Sequence, residues 1–431
     1  MKKFRIVLLG LGTVGSGVVR ILQSHAERIK KQAGGEFEIA GILVRNPLKE
    51  RNVTVDASLL TMDFHQLIEQ PVDIVIDAMG GLDPTLHYVE SAIQKGCHVI
   101  SANKELLAAY GAHLHALADE YNVSLLYEAS VGGGIPILNT LSHLLKANRV
   151  TRVHGILNGT TNYILSKMEE EGLSYDTALK QAQEKGFAEA DPTADVEGFD
   201  AANKITIISH LCFGTEASPD SGKREGITTV TGEEIALYKK LGYRIKLIAT
   251  AVRAGGGYTQ RVVPALLPLT HALAGVKDEY NGVFVTGDIV GDLFFTGRGA
   301  GSFPTGSAIV EDMINAVQGL RFAAHPTEPD SIGPDEKTEQ AEALAALFIL
   351  ENEAEDERKT RLLSFLSSEA GYLHAVETAE QDGKIYVAAI IGRPNQAKIE
   401  SFAGHLQASL VIRPVLDDSL AAVEQPDNAL V

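Results

Sequence analysis

The sequence has 431 residues, enough for two or three domains, and its 45% hydrophobic and 22% charged content is ordinary for a soluble globular protein. A net charge of −18 argues against nucleic acid or an anionic membrane as a partner, since both require a basic surface. The two cysteines, Cys97 and Cys212, lie outside any metal-ligand spacing. We therefore expect buried thiols in a cytoplasmic protein.

The N-terminal third alternates short apolar runs with helical patterns. It opens on FRIVLLG, interpreted as a buried strand rather than a signal peptide because Gly10 and Gly12 interrupt the apolar run. TVGSGVVRILQSHAERI predicts one helix, and further strands are predicted at FEIAGILV, VDIVIDAMG, HVISAN and VSLLYEAS. Strands alternating with helices predict an α/β, doubly wound parallel sheet of the Rossmann type over residues 1–135. No apolar run is long enough to span a bilayer.

A glycine-rich motif, GLGTVG, follows the first strand and opens the first helix. In that context the first glycine permits a tight turn, the second lets the backbone approach a pyrophosphate, and the third allows close packing of helix on sheet. The helix N-terminus adds N–H donors for phosphate. An ordinary glycine-rich turn is the alternative. The residues assigned to cofactor binding are Gly10, Gly12, Thr13, Val14 and Gly15.

The end of the second strand bears on the choice of cofactor. An NAD site requires an acid there for the ribose hydroxyls, but the sequence reads GILVRNPLKER. Arg45 follows the strand, with Lys49 and Arg51 nearby, and an arginine pairs well with a 2′-phosphate. This favours NADP, with NAD possible. The alternative is that Arg45 merely faces solvent.

The pattern changes after VGGGIPI. Helices are predicted near 136–145, 162–170 and 175–185, followed by extended runs without helices between them. We expect an α+β domain over residues 136–322, with a helix near 304–320 returning to the first domain. Residues 323–343 are predicted to be a linker. Residues 344–431 have the order β-α-β-β-α-β, which predicts a ferredoxin-like domain.

The stretch FAEADPTADVEGFDAANK holds five carboxylates and ends on Lys204. Lys204 lies four residues after Asp200, so on a helix both side chains share one face. Burial lowers a lysine pKa and nearby carboxylates raise it, and a lysine balanced in this way suits general acid catalysis. The surplus acids suit a substrate ammonium. A solvated i,i+4 ion pair remains the alternative.

At these residues the chain resembles the homoserine dehydrogenase family. The resemblance rests on GLGTVG, SANKELLA, YEASVGGGIPI, GILNGTTNYIL, FAEADPTADVEGFDAANK and GAGSFPTGSAIV, and covers about residues 5–320. It implies NAD(P)H-dependent interconversion of L-aspartate 4-semialdehyde and L-homoserine, in threonine and methionine biosynthesis. It also implies a homodimer or higher homo-oligomer.

The resemblance implies a role for individual residues. Lys204 is expected to be the acid/base, with Lys104 as a second lysine near the nicotinamide. Asp200 and Glu189 are expected to bind the substrate amino group. Two further sets follow: backbone positions lining the cofactor at Gly186 and Gly301, and a sodium site made by the Glu128 side chain and the carbonyls of Val131, Gly133 and Ile135. From residues alone, the glycines of that loop are equally typical of a hinge.

The C-terminal part resembles an ACT module, mainly in the order of its elements. Its first loop, ENEAEDERKTRLLSF, has no glycine and several acids, which would repel the carboxylate of an amino acid. We therefore expect weak or absent threonine feedback, unless Arg358 or Lys359 binds that carboxylate. Two other functions stay open: a dehydrogenase of another small amino acid, and a non-catalytic NADP-binding amino-acid sensor.

Overall fold

Three β-sheets follow one another along the chain. The computed structural model describes residues 2–214, 218–254, 257–322, 343–351, 355–417 and residue 420. The predicted linker falls almost wholly outside these residues. Within them, no helix combines the length and the apolar character needed to cross a membrane.

The N-terminal sheet is parallel and six-stranded, in the order β3-β2-β1-β4-β5-β6. Its strands are β1 (Lys2–Leu9), β2 (Gly35–Leu43), β3 (Leu60–Thr61), β4 (Ile74–Asp77), β5 (His98–Ser101) and β6 (Leu125–Leu126). Its helices are α1 (Thr13–Ser24), α2 (Ala26–Ala33), α3 (Phe64–Ile68), α4 (Thr85–Gln94) and α5 (Lys104–Glu120), with 3-10 turns at Ala57–Leu59 and Glu128–Ser130.

This strand order confirms the predicted doubly wound sheet. The order reverses between β1 and β4, and a crevice for a ligand lies at the carboxyl ends of strands where such a reversal occurs. β4 is buried along its whole length, as expected of a central strand covered on both faces. The prediction of one helix after β1 was wrong, because the chain breaks at His25 into α1 and α2.

The central sheet is mixed, in the order β12-β11-β7-β9-β10-β8, with only the pairing of β8 and β10 parallel. Its strands are β7 (Val150–Ile156), β8 (Lys223–Arg224), β9 (Tyr243–Ala254), β10 (Gly257–Pro268), β11 (Tyr280–Gly287) and β12 (Gly291–Arg298). The helices of this part are α6 (Ile137–Asn139), α7 (Gly159–Glu171), α8 (Tyr175–Glu184), α9 (Thr193–Val196), α10 (Phe199–Phe213), α11 (Gly232–Lys240) and α12 (Ser302–Val317), with a π-helical turn at Thr140–Leu144 and a 3-10 turn at Ala272–Gly275.

Helix α12 returns to the N-terminal sheet and packs on α1. The approach is close: a Cβ at Gly17 would lie 2.0 Å from the carbonyl oxygen of Ser302, so only glycine fits there. The Ser302 hydroxyl also donates to the carbonyl of Thr13 at 2.9 Å. The start of α12 is thus held against the start of α1, beside the glycine-rich motif.

The C-terminal unit (residues 343–417) has an antiparallel sheet in the order β14-β15-β13-β16. Its elements are β13 (Leu344–Glu351), α13 (Glu355–Ser368), β14 (Tyr372–Gln381), β15 (Lys384–Gly392), α14 (Gln396–Leu406) and β16 (Ser409–Pro414). The two helices meet through stacked rings of Phe365 and Phe402, whose centroids are 4.0 Å apart. Element order and strand order confirm the predicted ferredoxin-like arrangement.

Candidate active site

A buried carboxylate, Asp200, lies between two lysines. Lys204, one turn later on α10, donates to Asp200 Oδ2 at 2.7 Å, and Lys104 forms an ion pair with Asp200 Oδ1. The side chain of Asp200 is only 4% exposed, that of Lys204 11% and that of Lys104 38%. The prediction that Asp200 and Lys204 share one helical face is confirmed. Lys104, the first residue of α5, completes the cluster from the carboxyl end of the N-terminal sheet.

The loop after β5 positions Lys104. The Ser101 hydroxyl donates to Asp77 Oδ2 at 2.8 Å and accepts from the backbone N–H of Asn103 at 3.1 Å. The Asn103 side chain then accepts from the N–H of Leu106 and caps α5. Because α5 begins at Lys104, this chain of hydrogen bonds fixes the position of Lys104 just after the carboxyl end of β5.

Asn158 joins the acidic stretch to α7. Its amide Nδ2 donates to Asp195 Oδ1 at 2.7 Å and to Asp200 Oδ2 at 2.9 Å, while its Oδ1 caps α7 by accepting from the N–H of Thr161. Neither Asn158 nor Asp195 is among the site residues predicted from the sequence. The signal was present, since Asn158 lies within GILNGTTNYIL and Asp195 is one of the five acids.

The charges of the cluster shift one another's pKa values. Burial lowers the pKa of Lys204; Asp200 opposes this and the like charge of Lys104 adds to it, so the pKa stays below its ordinary value. Burial also opposes the charge on Lys104, but Asp200 outweighs it and raises the pKa. The two lysines overcome the burial of Asp200 and hold its pKa well below its usual range.

This arrangement leaves Lys204 able to act on a bound oxygen. Two of its three N–H donors are occupied, one by Asp200 and one by the carbonyl of Leu157 at 2.8 Å. Among the described residues no group accepts from the third, which can therefore meet a substrate oxygen. A buried lysine with a lowered pKa, fixed by two acceptors, is suited to general acid and base catalysis.

The second acid that the resemblance assigns to the substrate amino group is Glu189. Glu189 is exposed in the loop between α8 and α9, and its carbonyl accepts from Gln183. Gly186, at the start of the same loop, has φ +75. The loop is tied to α7, because the carbonyl of Phe187 accepts from the Thr160 hydroxyl at 2.6 Å.

The glycine-rich motif forms a cradle at the carboxyl end of β1. Gly10 has φ +97, and a Cβ there would lie 2.9 Å from the Ala78 carbonyl oxygen. Gly12 precedes α1 and has open space around it, where a phosphate can approach the helix N-terminus. Gly301, with φ +124, precedes α12, which lies against α1. Arg45 is exposed, two residues after β2.

The loop predicted to hold sodium lies between the N-terminal sheet and α12. The buried Glu128 carboxylate accepts from the N–H groups of Leu138 and Asn139 at 2.8 and 2.6 Å. Gly133, with φ +54, packs on the backbone of Gly299. A second buried acid, Asp312, accepts from the N–H of Glu128 at 2.8 Å.

Known proteins share both the sequence and the fold. Residues 10–128 match the family model described as "Homoserine dehydrogenase, NAD binding domain", and residues 136–314 match "Homoserine dehydrogenase". The chain is 44% identical to a homoserine dehydrogenase of Bacillus subtilis over 78% of this chain and 77% of that protein. Identity to one of Pseudomonas aeruginosa is 35% over 95% of this chain and 96% of that protein.

The solved structures agree. A homoserine dehydrogenase from Thiobacillus denitrificans superposes with a TM-score of 0.84 at 33% identity, covering 96% of this chain and 99% of that one. One from S. aureus has a TM-score of 0.78 at 36% identity, with the same coverage. The chain therefore belongs to the homoserine dehydrogenase family of NAD(P)-dependent oxidoreductases.

Proposed function

We propose that the cluster around Asp200 interconverts L-aspartate 4-semialdehyde and L-homoserine, with Lys204 as the acid/base and Lys104 as the second lysine. The observation that carries this assignment is the convergence of both lysines on one buried carboxylate. The same observation argues against a non-catalytic sensor, which has no need of a buried lysine with a lowered pKa.

In the reduction, Lys204 donates a proton from Nζ to the carbonyl oxygen of the semialdehyde, and in the oxidation it takes that proton from the hydroxyl of homoserine. The nicotinamide, when bound, supplies or accepts the hydride. Asp200 and Glu189 bind the substrate ammonium, and Asn158 holds Asp200 in place. Lys104 stabilises charge on the substrate oxygen and keeps Asp200 ionised.

The cofactor we propose is NADP, with its pyrophosphate on Gly10, Gly12, Thr13, Val14 and Gly15, and with Gly186 and Gly301 lining the site. The open cradle at Gly12 fits a phosphate. Arg51 is engaged with the carbonyls of Asn46 and Lys49, which leaves the exposed Arg45 as the arginine that meets a 2′-phosphate.

A sodium ion fits the loop of Glu128, Val131, Gly133 and Ile135. The pKa of Asp312 rises to about 8, because the group is buried and lies beside the charge of Glu128. Burial likewise raises the pKa of Glu128, although backbone N–H groups oppose this. A cation bound there would offset this concentration of buried negative charge, and carboxylate and carbonyl oxygens suit an alkali cation.

The wider organisation is proposed as follows: a cytoplasmic enzyme with domains at 1–135 and 136–322, a linker at 323–343 and an ACT-like domain at 344–431. Part of the loop predicted to exclude threonine lies outside the described residues. Arg358 and Lys359 contact Gln407 and Glu380, which favours weak feedback. Strong inhibition of homoserine oxidation by millimolar threonine would contradict that prediction.

We expect Lys204→Met to lower turnover of L-homoserine by about two to four orders of magnitude, the range for loss of a general acid or base. The fold should persist, because Lys104 still neutralises Asp200. Steady-state kinetics and the Kd for NADPH are the measurements, and the Kd should not change. Lys180→Met, at an exposed lysine of α8, is the control. Turnover within about tenfold of the wild type would contradict the assignment.

The pH profile provides a second test. Homoserine oxidation needs neutral Lys204, so its rate should rise with pH through a pKa that lies below the ordinary lysine value. Lys104→Gln removes a like charge that lowers this pKa, and the rising limb should therefore move to higher pH. A limb that stays in place or moves to lower pH would show that Lys204 is not the titrating group.

We expect Arg45→Ala to weaken NADPH binding by about ten- to a hundredfold, the worth of one charge-assisted hydrogen bond, and to leave NADH binding unchanged. The reason is that only NADPH carries the 2′-phosphate. Fluorescence titration with each cofactor measures the two Kd values. Arg28→Ala, at an exposed arginine of α2, is the control. Equal losses for the two cofactors would exclude a contact between Arg45 and that phosphate.

Sodium should stabilise the folded protein relative to choline at equal ionic strength, by about 2.7 kcal/mol when sodium is at 100 times its Kd. Glu128→Gln should remove this difference, and Glu120→Gln, at an exposed acid of α5, should retain it. Thermal unfolding in the two salts is the measurement. Identical stability of the wild type in both salts would leave the loop without a cation role.

The central sheet is proposed to form the interface of a homodimer. Phe294 is exposed on its edge strand β12. Ile289, in the turn that precedes this strand, is 73% exposed. Phe294→Asp should therefore convert particles of twice the 46.1 kDa chain mass into monomers. Leu269→Asp, at an exposed leucine after β10, should not. Light scattering gives the mass, and a dimeric Phe294→Asp variant would place the interface elsewhere.

A further inference from the structure

Arg413 of β16 crosses from the C-terminal unit into the central part of the chain, where it is buried. Only 1% of its side chain is exposed. Its Nε donates to Glu234 Oε1 at 3.0 Å, its Nη2 donates to Thr229 Oγ1 at 3.2 Å, and its Nη1 pairs with Glu225. One guanidinium thus holds two carboxylates that belong to different elements, Glu234 to α11 and Glu225 to the segment after β8.

The two partners have different positions. Glu234 lies in the first turn of α11 and is as deeply buried as Arg413, so this pair anchors the C-terminal unit. Removing one member of such a pair leaves an uncompensated buried charge, which is strongly destabilising. Glu225 is partly exposed, and its carboxylate also accepts from the Thr229 hydroxyl at 3.3 Å. Arg413 therefore contacts both ends of the segment 225–229.

The middle of that segment packs on the acidic stretch of the active site. The N–H of Ile227 donates to the carbonyl of Val196 at 2.8 Å, and the Thr228 hydroxyl donates to Glu197 Oε1 at 3.1 Å. A Cβ at Gly226 would lie only 2.3 Å from the Val196 carbonyl oxygen. The two backbones are in direct contact, so a displacement of one displaces the other.

Val196 and Glu197 lie between the two acids that Asn158 joins. Asp195 immediately precedes Val196 on α9, and Asp200 is the second residue of α10. Arg224 adds a second support, donating from Nη1 to the Glu197 carbonyl at 2.8 Å while its guanidinium lies over the Phe199 ring. The segment 225–229 thus packs against the turn between α9 and α10, which joins Asp195 to Asp200.

We propose that Arg413 is a positioning residue for the reaction. Through Glu225 and Thr229 it fixes the segment 225–229. That segment in turn fixes the turn between α9 and α10, which joins Asp195 to Asp200. The C-terminal unit is in this way coupled to the active site, and any event that shifts β16 changes how well substrate binds. The inference rests on the proposed function of Asp200.

Glu225→Ala separates positioning from docking, because the pair between Arg413 and Glu234 remains. We expect kcat/KM for L-homoserine to fall by between about twofold and thirtyfold, the range for residues that couple sites without touching ligand. The Kd for NADPH should not change. A merely structural role for Glu225 would lower the melting temperature and leave kcat/KM at the wild-type value, which would overturn the proposal.

Lys240→Ala is the matched control. It removes another ion pair between the same two parts of the chain, Lys240 with Glu377 at 3.4 Å, at the far end of α11 from Glu234. This pair does not contact the segment 225–229, so kcat/KM should stay unchanged. An equal loss in Lys240→Ala and Glu225→Ala would show that general loosening of the C-terminal unit, and not Arg413, acts on the site.

Arg413→Lys tests whether Glu225 acts through Arg413. A lysine offers a point charge in place of the guanidinium fork, so it should keep Glu234 and lose Glu225. We expect the same fall in kcat/KM as in Glu225→Ala, and no further fall when the two substitutions are combined. Additive losses in the combined variant would overturn the proposal.

Hydrogen exchange tests the positioning without relying on activity. Amides of residues 193–198 and of Ile227 should exchange faster in Glu225→Ala than in the wild type or in Lys240→Ala. Unchanged exchange in Glu225→Ala would overturn this inference whether or not the enzyme is active. Failure of the wild type to oxidise homoserine would instead overturn the proposed function.

Discussion

The site depends on the negative charge of the buried Asp200, which pairs with two lysines. A carboxylate buried to this degree requires positive partners, and two lysines provide them from opposite sides: Lys204 from α10 and Lys104 from α5. Because α5 packs with the N-terminal sheet and α10 with the central sheet, the interaction that neutralises Asp200 also joins the NAD-binding part of the chain to the part that holds the central sheet. The lysines in turn acquire unequal proton affinities, the more buried one holding its proton more weakly.

The crowding of acids before Lys204 has a simple explanation in the structure, since the five do not act together. Asp195 and Asp200 face Asn158, and Glu197 faces away, toward the segment that Arg413 holds. Glu189 and Asp191 are exposed, and Asp191 accepts from the N–H of Thr193, the first residue of α9. One short stretch therefore supplies the buried carboxylate of the cluster, a contact with the segment 225–229 and a turn ahead of α9.

The sequence predicted what local patterns encode. Alternating strands and helices specified the doubly wound sheet, and the spacing of Asp200 and Lys204 placed them on one helical face. Contacts between distant residues carry no such pattern. The pair of Lys104 with Asp200 and the pair of Arg413 with Glu225 each join different units, and no periodicity relates their positions. The break at His25 was missed because the helical pattern continues through it.

The close approach of Gly17 to Ser302 has a consequence for how the protein is made. Helix α1 leaves the ribosome long before the helix that packs on it, because residues 25–301 are synthesised between them. One face of the N-terminal sheet is therefore incompletely covered until the central sheet and α12 have been translated. Contacts of such long sequence separation slow folding and prolong exposure of apolar surface. The chain should consequently become able to bind the dinucleotide only late in biosynthesis, once α12 has packed on α1.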